Sequence, residues 1–315
     1  MLARVVRSGV TESLHDGAIA VVDLGGRVIA TQGDVDRSFF ARSSIKPFQA
    51  HVSQTSGADL PPEWLAVASS SHDGTPTQLA IVRVMLESVG LTESDLGCAP
   101  AWPLAMSSRT RLLLGGHAHP LEIYHNCSGK HAGFLRASLA SGWDRASYLS
   151  PDHPIQTRVR ELLEEVTGER DVALGVDGCG APTPAISTIG LARAFSRLGN
   201  DERFAEVFTV MHRYPRLVSG VGRADAEVAI ATHSAAKSGA EGSIGIAVRN
   251  RGAIAVKVLD GSDRAIGPVA SAVLSDLGWI TPRMGERLAA ALRVPMSGGG
   301  RDVGSVESLV DLVHS

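Results

Sequence analysis

The chain has 315 residues, 44% of them hydrophobic and 20% charged, enough to bury a large core in one domain or in two intimately packed lobes. A net charge of -3 and an aromatic content of only 4% offer no cationic or base-stacking surface, so nucleic acid and anionic membranes are excluded as expected partners. Three cysteines are too few and too odd in number for a disulfide framework. Met1–Arg7 lacks the apolar run of a signal peptide, and no stretch reaches the length of a membrane span. The expectation is a soluble cytoplasmic protein.

From the N-terminus, Ala18–Asp23 and Arg27–Thr31 are β-branched runs joined by Leu24-Gly25-Gly26, a predicted hairpin. Arg42-Ser43-Ser44-Ile45-Lys46-Pro47 then carries a Ser-x-x-Lys pair, Ser43 and Lys46, whose spacing puts both on one face of a helix. Pro47 fits only near a helix start and disfavours helical geometry at Lys46, which places Ser43 at or near the N-cap, where the helix dipole favours a nucleophile. A catalytic role needs a neutral lysine, and lowering a free lysine from pKa about 10.4 to neutrality takes roughly 4 kcal/mol of burial or cationic neighbours. A serine cap followed by a solvated lysine is the competing reading.

Apolar residues three and four apart predict helices over Trp64–Ser70, Pro76–Ser88, His131–Ala140, Ile155–Thr167, Thr183–Arg197 and Glu202–His212. Between the first two, Ala68-Ser69-Ser70-Ser71-His72-Asp73-Gly74 sets hydroxyls, an imidazole and a glycine at a helix break, suited to a pocket wall or to simple capping. Ile244–Arg249 and Ala253–Leu259 flank Asn250-Arg251-Gly252, a second hairpin. Strands at both ends with helices between predict an α+β fold, an antiparallel sheet assembled from both termini around a helical insertion. Ser297-Gly298-Gly299-Gly300 reads as a flexible link before a short C-terminal helix.

The densest chemistry lies in Tyr124-His125-Asn126-Cys127-Ser128-Gly129-Lys130-His131-Ala132-Gly133 and in Val176-Asp177-Gly178-Cys179-Gly180-Ala181-Pro182. Zinc prefers thiolate and imidazole ligands, and one cysteine in each segment suits an open site better than a closed structural one. Residues alone point to Cys127, Cys179 and one of the histidines, against the alternative of two buried thiols acting as small hydrophobes. Cys98 reads as inert, and His117 and His119, in Gly115–Pro120, as solvated imidazoles in a turn.

Six blocks in order, Arg42–Ala50, Ser71-His72-Asp73-Gly74, Asn126–Leu135, Asp152–Gln156, Val176–Thr183 and Lys257-Val258-Leu259-Asp260-Gly261, resemble the Rhizobium etli-type asparaginases, the asparaginase II family. The similarity runs over roughly residues 8–275. It implies a fold like that of serine β-lactamases and penicillin-binding proteins, and hydrolysis of L-asparagine to L-aspartate and ammonia. It also implies two Ser–Lys tandems, matched here by Ser43–Lys46 and Ser71–Lys257, with Ser69 and Ser70 as alternatives for the second serine. Zn2+ is implied on Cys127, Lys130 and Cys179. On this reading Ser43 attacks the amide carbon and Lys46 takes its proton, while Ser71 and Lys257 serve the leaving ammonia. Arg42 or Lys257 would meet the α-carboxylate and Asp177 or Asp73 the α-ammonium, with His72 in the pocket wall. A homodimer is expected. The rival readings are a zinc-activated-water amidase and a non-catalytic zinc- or amino-acid-binding homologue.

Overall fold

A computed structural model describes residues 1–315. In chain order the strands are β1 Ala3–Arg7, β2 Val10–His15, β3 Gly17–Val22, β4 Val28–Gln32, β5 Phe39–Phe40, β6 Leu174–Val176, β7 Pro182–Ile186, β8 Ala235–Gly239, β9 Ser243–Val248, β10 Gly252–Val258, β11 Pro295–Gly298, β12 Arg301–Ser308 and β13 Val313–His314. The helices are α1 Lys46–Ser53, α2 Pro62–Ala68, α3 Pro76–Glu87, α4 Met106–Leu114, α5 Ser128–Ala140, α6 Pro154–Thr167, α7 Thr188–Asn200, α8 Ala205–Arg213, α9 Pro215–Val218, α10 Ala224–Thr232, α11 Ile266–Asp276 and α12 Pro282–Ala291. A six-stranded sheet of order β13-β4-β3-β10-β9-β8 has every neighbouring pair antiparallel, and it draws strands from both ends of the chain, as the sequence predicts. No helix is long and apolar enough to cross a membrane.

Alternation along the central strands decides how the sheet is covered. In Ala253-Ile254-Ala255-Val256 and Ser243-Ile244-Gly245-Ile246-Ala247, small residues face one side and β-branched residues the other. The small face, with Ala20, Ala247, Ala253 and Ala255, belongs to the core shared with the helical half. The large face, with Ile19, Val21, Ile244, Ile246, Ile254 and Val256, packs with Val269, Val273 and Leu288 of α11 and α12. Small residues let α7 approach closely: the Phe195 ring lies over Gly245, and a Cβ built at Gly199 falls 3.3 Å from Ala247.

Local signals explain most of the helices. Thr75 and Gln78 form a reciprocal capping box on α3 with Pro76 in the first turn, and His153 caps α6 through Ile155 N–H. Two expectations fail. The predicted helix over Thr183–Arg197 is strand β7 followed by α7, because Pro182 and Pro184 lack amide donors and Ser187 caps the helix by accepting from Gly190 N–H. The glycines at 298–300 are no flexible link, and no helix follows them. Gly299 and Gly300, at φ +56° and +75°, turn β11 into β12, which pairs with β1.

The Phe195–Gly245 contact yields a test. A Cβ at Gly245 would lie 2.2 Å from the Phe195 ring, inside a core with no room to shift. Gly245→Ala is expected to cost about 1–3 kcal/mol of stability, read as a lowered urea midpoint with unchanged slope.

Candidate active site

The nucleophile candidate sits on a short helical turn, Arg42–Ile45, that runs straight into α1. Lys46 is helical, at φ -56° and ψ -32°, despite preceding Pro47. The local penalty is overridden by its side chain, which is fully buried and held by oxygens. Its Nζ donates to Ser70 O at 2.6 Å, to Ser71 Oγ at 3.0 Å and to Asn126 O at 3.4 Å. Ser43 is not among these partners; it is 8% exposed.

The same bonds separate the three neighbouring serines. Ser69 Oγ donates to Leu65 O and Ser70 Oγ to Val67 O, both spent on their own helix turn. Ser71 has left that helix: its N–H meets Val218 O, and its hydroxyl faces Lys46. His72 is fully buried, accepts from Gly74 N–H at Nδ1 and donates from Nε2 to Ser128 Oγ, 2.8 Å away. Burial, then Lys46 and His125, push its pKa down to about 3, so its imidazole is neutral between Gly74 N–H and Ser128 Oγ.

Lys257 is not brought to Ser71. It lies at the end of β10 opposite Ala18 and Ser243, half-buried over the Phe39 ring, and its Nζ donates to Glu241 O and Val258 O. The lysine that reaches the site is Lys237 on β8, which the sequence reading missed. A Cβ on Gly239 would fall 2.8 Å from Ala41 O and 3.1 Å from Ser44 N, so the β8 backbone lies directly against the Ser43 turn. Lys237 is fully buried, with Nζ 3.6 Å from Asp225 Oδ2 and 2.8 Å from Ser238 O. Burial pushes its pKa down to about 7; Asp225 resists this, and Lys46 and Arg223 reinforce it. Asp225 is itself buried, against its charge, yet Lys237 and Arg223 hold its carboxyl below the usual range. The available signal was Lys237-Ser238-Gly239, but Ala235-Ala236-Lys237-Ser238-Gly239 has no β-branched residue to announce a strand.

Around this cluster, Arg42 and Asp177 are paired with each other, and Arg42 holds a left-handed backbone at φ +51°. Asp73 lies against the Gly220 backbone, 3.6 Å from Arg223 Nη1. Burial raises the Asp73 pKa against the pull of Arg223, and Asp225 adds to the rise. Arg223 Nε is buried without a partner. Arg223, Asp73, Asp225 and Lys237 thus form one charged wall, in which Asp73 alone was expected.

The second expected cluster does assemble. Cys127 stands at the N-cap position of α5 and Lys130 follows in its first turn, while Cys179 comes from the loop between β6 and β7. Gly129 allows this: a Cβ there would lie 2.4 Å from Val67 O, so α5 starts directly against the end of α2. Lys130 Nζ is 3.0 Å from Cys179 Sγ. The donor atoms of Cys127, Asp177 and Cys179 lie within 4.8 Å of one another. Tetrahedral zinc with nitrogen and sulfur ligands needs donor separations of about 3.4–3.8 Å, so two sulfurs and the Lys130 amine suit that group. Neither His125 nor His131 joins the donor set. Cys179 is held far below the usual thiol range, first by the Cys127 S–H directed at it and, against burial, by Lys130 and His131. Cys127 is correspondingly pushed up, by that bond and by burial. Cys98, buried and donating to Glu122 O, stands apart from this set.

A search of solved structures finds Mglu in its tris and glutamate form, 16% identical with TM-score 0.46, covering 88% of this chain and 63% of that one. The chain therefore spans less than two thirds of the length of Mglu. A Bacillus glutaminase solved in the presence of 4.3 M NaCl is 13% identical with TM-score 0.44, covering 84% of this chain and 91% of that one. Comparison with curated proteins finds no match. The family model described as L-asparaginase II matches residues 3–308, and the chain belongs to the L-asparaginase II family.

Proposed function

We propose that the protein is an L-asparaginase that hydrolyses L-asparagine to L-aspartate and ammonia through an acyl-enzyme on Ser43. The observation that supports this reading is Lys46 Nζ 3.0 Å from Ser71 Oγ, with buried Lys237 on the strand whose Gly239 backbone lies against the Ser43 turn. A lysine, a hydroxyl residue and a glycine on a strand beside a Ser-x-x-Lys pair recur in serine β-lactamases and penicillin-binding proteins, which supports that fold class by analogy. The same reading takes the enzyme to be a cytoplasmic homodimer.

Ser43 Oγ attacks the carboxamide carbon and its proton passes to the neutral amine of Lys237. Lys237 suits this role because its pKa of about 7 leaves roughly half of it unprotonated at neutral pH. As the C–N bond breaks, Ser71 Oγ–H protonates the departing nitrogen and Lys46 refills Ser71 along their hydrogen bond. Water then attacks the ester carbon, its proton passing through Ser71 to the Lys46 amine, and Lys237 returns its proton to Ser43 Oγ as the C–O bond breaks and L-aspartate leaves. Arg42 and Asp177 are hydrogen-bonded to each other, whereas Arg223 and Asp73, 3.6 Å apart, are not, so the α-carboxylate is assigned to Arg223 and the α-ammonium to Asp73. Cys127, Lys130 and Cys179 would hold Zn2+, which when bound supplies positive charge near the substrate oxygen.

Ammonia release should be faster from L-asparagine than from L-glutamine, and Ser43→Ala and Lys237→Met should each lose at least about a thousandfold in kcat, whereas Lys257→Met keeps most of it. In wild type, kcat/KM should rise as pH increases through about 7, where Lys237 loses its proton. Retained turnover in Ser43→Ala would replace the acyl-enzyme by metal-activated water.

Arg223→Gln removes a charge-assisted contact of about 1.5–3 kcal/mol and should raise KM by roughly 10- to 100-fold with a smaller change in kcat. With 3-aminopropanamide, which lacks the α-carboxylate, wild type and variant should be equal. An equal loss on both substrates assigns Arg223 elsewhere.

Cys127→Ser and Cys179→Ser should each drop bound zinc well below one per chain by elemental analysis, with the fold retained in thermal melting. A core of this size does not depend on a metal to fold. Stoichiometric zinc in both variants removes these ligands from the assignment.

A further inference from the structure

We propose that the cleft beside Lys257 is a second small-molecule site, separate from the catalytic one, which takes a small zwitterionic amino acid with its carboxylate on Lys257 and Arg37 and its ammonium on Asp34.

The charges that line this cleft do not use each other. Lys257, Arg37, Asp34 and Thr188 surround a space of about 150 Å3, together with the apolar Ala18 and Phe39. No carboxylate oxygen comes within 4.0 Å of Lys257 Nζ or of the Arg37 guanidinium, although Asp34 shares the space with both. Two of the three Lys257 ammonium protons go to Glu241 O and Val258 O, which leaves one to donate. Burial lowers the Lys257 pKa, Glu241, Asp260 and Asp263 act against this, and the Arg37 charge adds to it. An anion between the two cations relieves that repulsion. Thr188 is 1% exposed, and its Oγ1 has no hydrogen-bond partner, a need that a carboxylate oxygen in the cleft would meet.

Two cations, one carboxylate and one unmet hydroxyl around a single space complement a molecule that is anionic at one end and cationic at the other. A plain anion would leave Asp34 facing it, and a plain cation would face Lys257 and Arg37. The space is below the roughly 300–1,000 Å3 of sites for drug-sized ligands, so the occupant has few heavy atoms. Its walls are set in advance. Gly33, at φ +74°, turns the chain where a Cβ would lie 2.1 Å from Gly17 O, so the segment starts directly against β3. Val35 O accepts from Ile189 N–H at 3.2 Å, and Phe39 pairs with Ile186 of β7. Asp34, Arg37 and Ser38 thus stand on a backbone tied down before, between and after them. None of Ser43, Lys46, Ser71, Lys237 or Arg223 lines this cleft.

The test is calorimetric titration of the full chain with glycine, acetate and methylammonium. Glycine is expected to bind more tightly than either ion, because only it engages both ends of the cleft. Lys257→Met and Arg37→Gln should each weaken glycine by roughly 10- to 100-fold, the loss of one charge-assisted contact. Asp34→Asn should bring glycine down to the level of acetate and leave acetate itself no weaker. Arg223→Gln, which alters the catalytic pocket, should leave this binding unchanged. Glycine binding that disappears in Arg223→Gln and persists in Lys257→Met and Arg37→Gln belongs to the catalytic site and overturns the proposal. Acetate as tight as glycine in the wild type, with glycine unaffected by Asp34→Asn, overturns it in favour of a plain anion site. A wild type that binds no glycine overturns it outright. Asp34 and Arg37 are exposed, so their variants keep the test decisive if Lys257→Met does not fold.

Discussion

Burial of three lysine amines within one small region is the constraint to which the rest of the molecule answers. Lys46, Lys130 and Lys237 are 0%, 2% and 0% exposed, and an unpaired buried charge costs several kcal/mol. Each is answered differently. Lys46 is met by two carbonyls and a hydroxyl. For Lys130, the two cysteines outweigh burial and favour the charged amine, a proton that Zn2+ would have to displace. Lys237 has one carboxylate at 3.6 Å and two cations nearby, and it yields its proton near neutrality. Three amines at one depth thus differ in the acceptors that surround them.

This arrangement requires elements distant in sequence to meet at fixed separations, and small residues make that possible. Gly129 lets α5 touch the end of α2, and Gly239 lets β8 touch the Ser43 turn. The alanine face of the central sheet does the same for α7. The opposite face, rich in isoleucine and valine, needs no such proximity and is covered by α11 and α12.

Much of this is legible in the sequence. The two hairpins follow from β-branched runs around Gly25-Gly26 and Asn250, which takes φ +62°, and the Ser43, Lys46, Cys127, Lys130 and Cys179 positions follow from motif and family resemblance. Lys257 was chosen over Lys237 because a strong strand pattern surrounds the first and none the second. Both lie on the small-residue face, but Lys257 stands opposite Ser243 and Lys237 opposite Gly245, and it is the strand of Lys237 that lies against the Ser43 turn. Arg223 was invisible for a related reason: its role depends on a contact with Asp73, far away in the chain.

The central sheet also sets a timetable. Ile19 lies opposite Val256, and Val5 opposite Val306, so strands made first are completed only by strands made last. At roughly 5–20 residues per second, β3 waits on the order of 10 to 50 s for β10 during synthesis. Throughout that interval the alternating apolar strand at Gly17–Val22 has only β4 beside it and an open edge on its other side. What covers that edge during synthesis is therefore a requirement separate from the stability of the finished molecule.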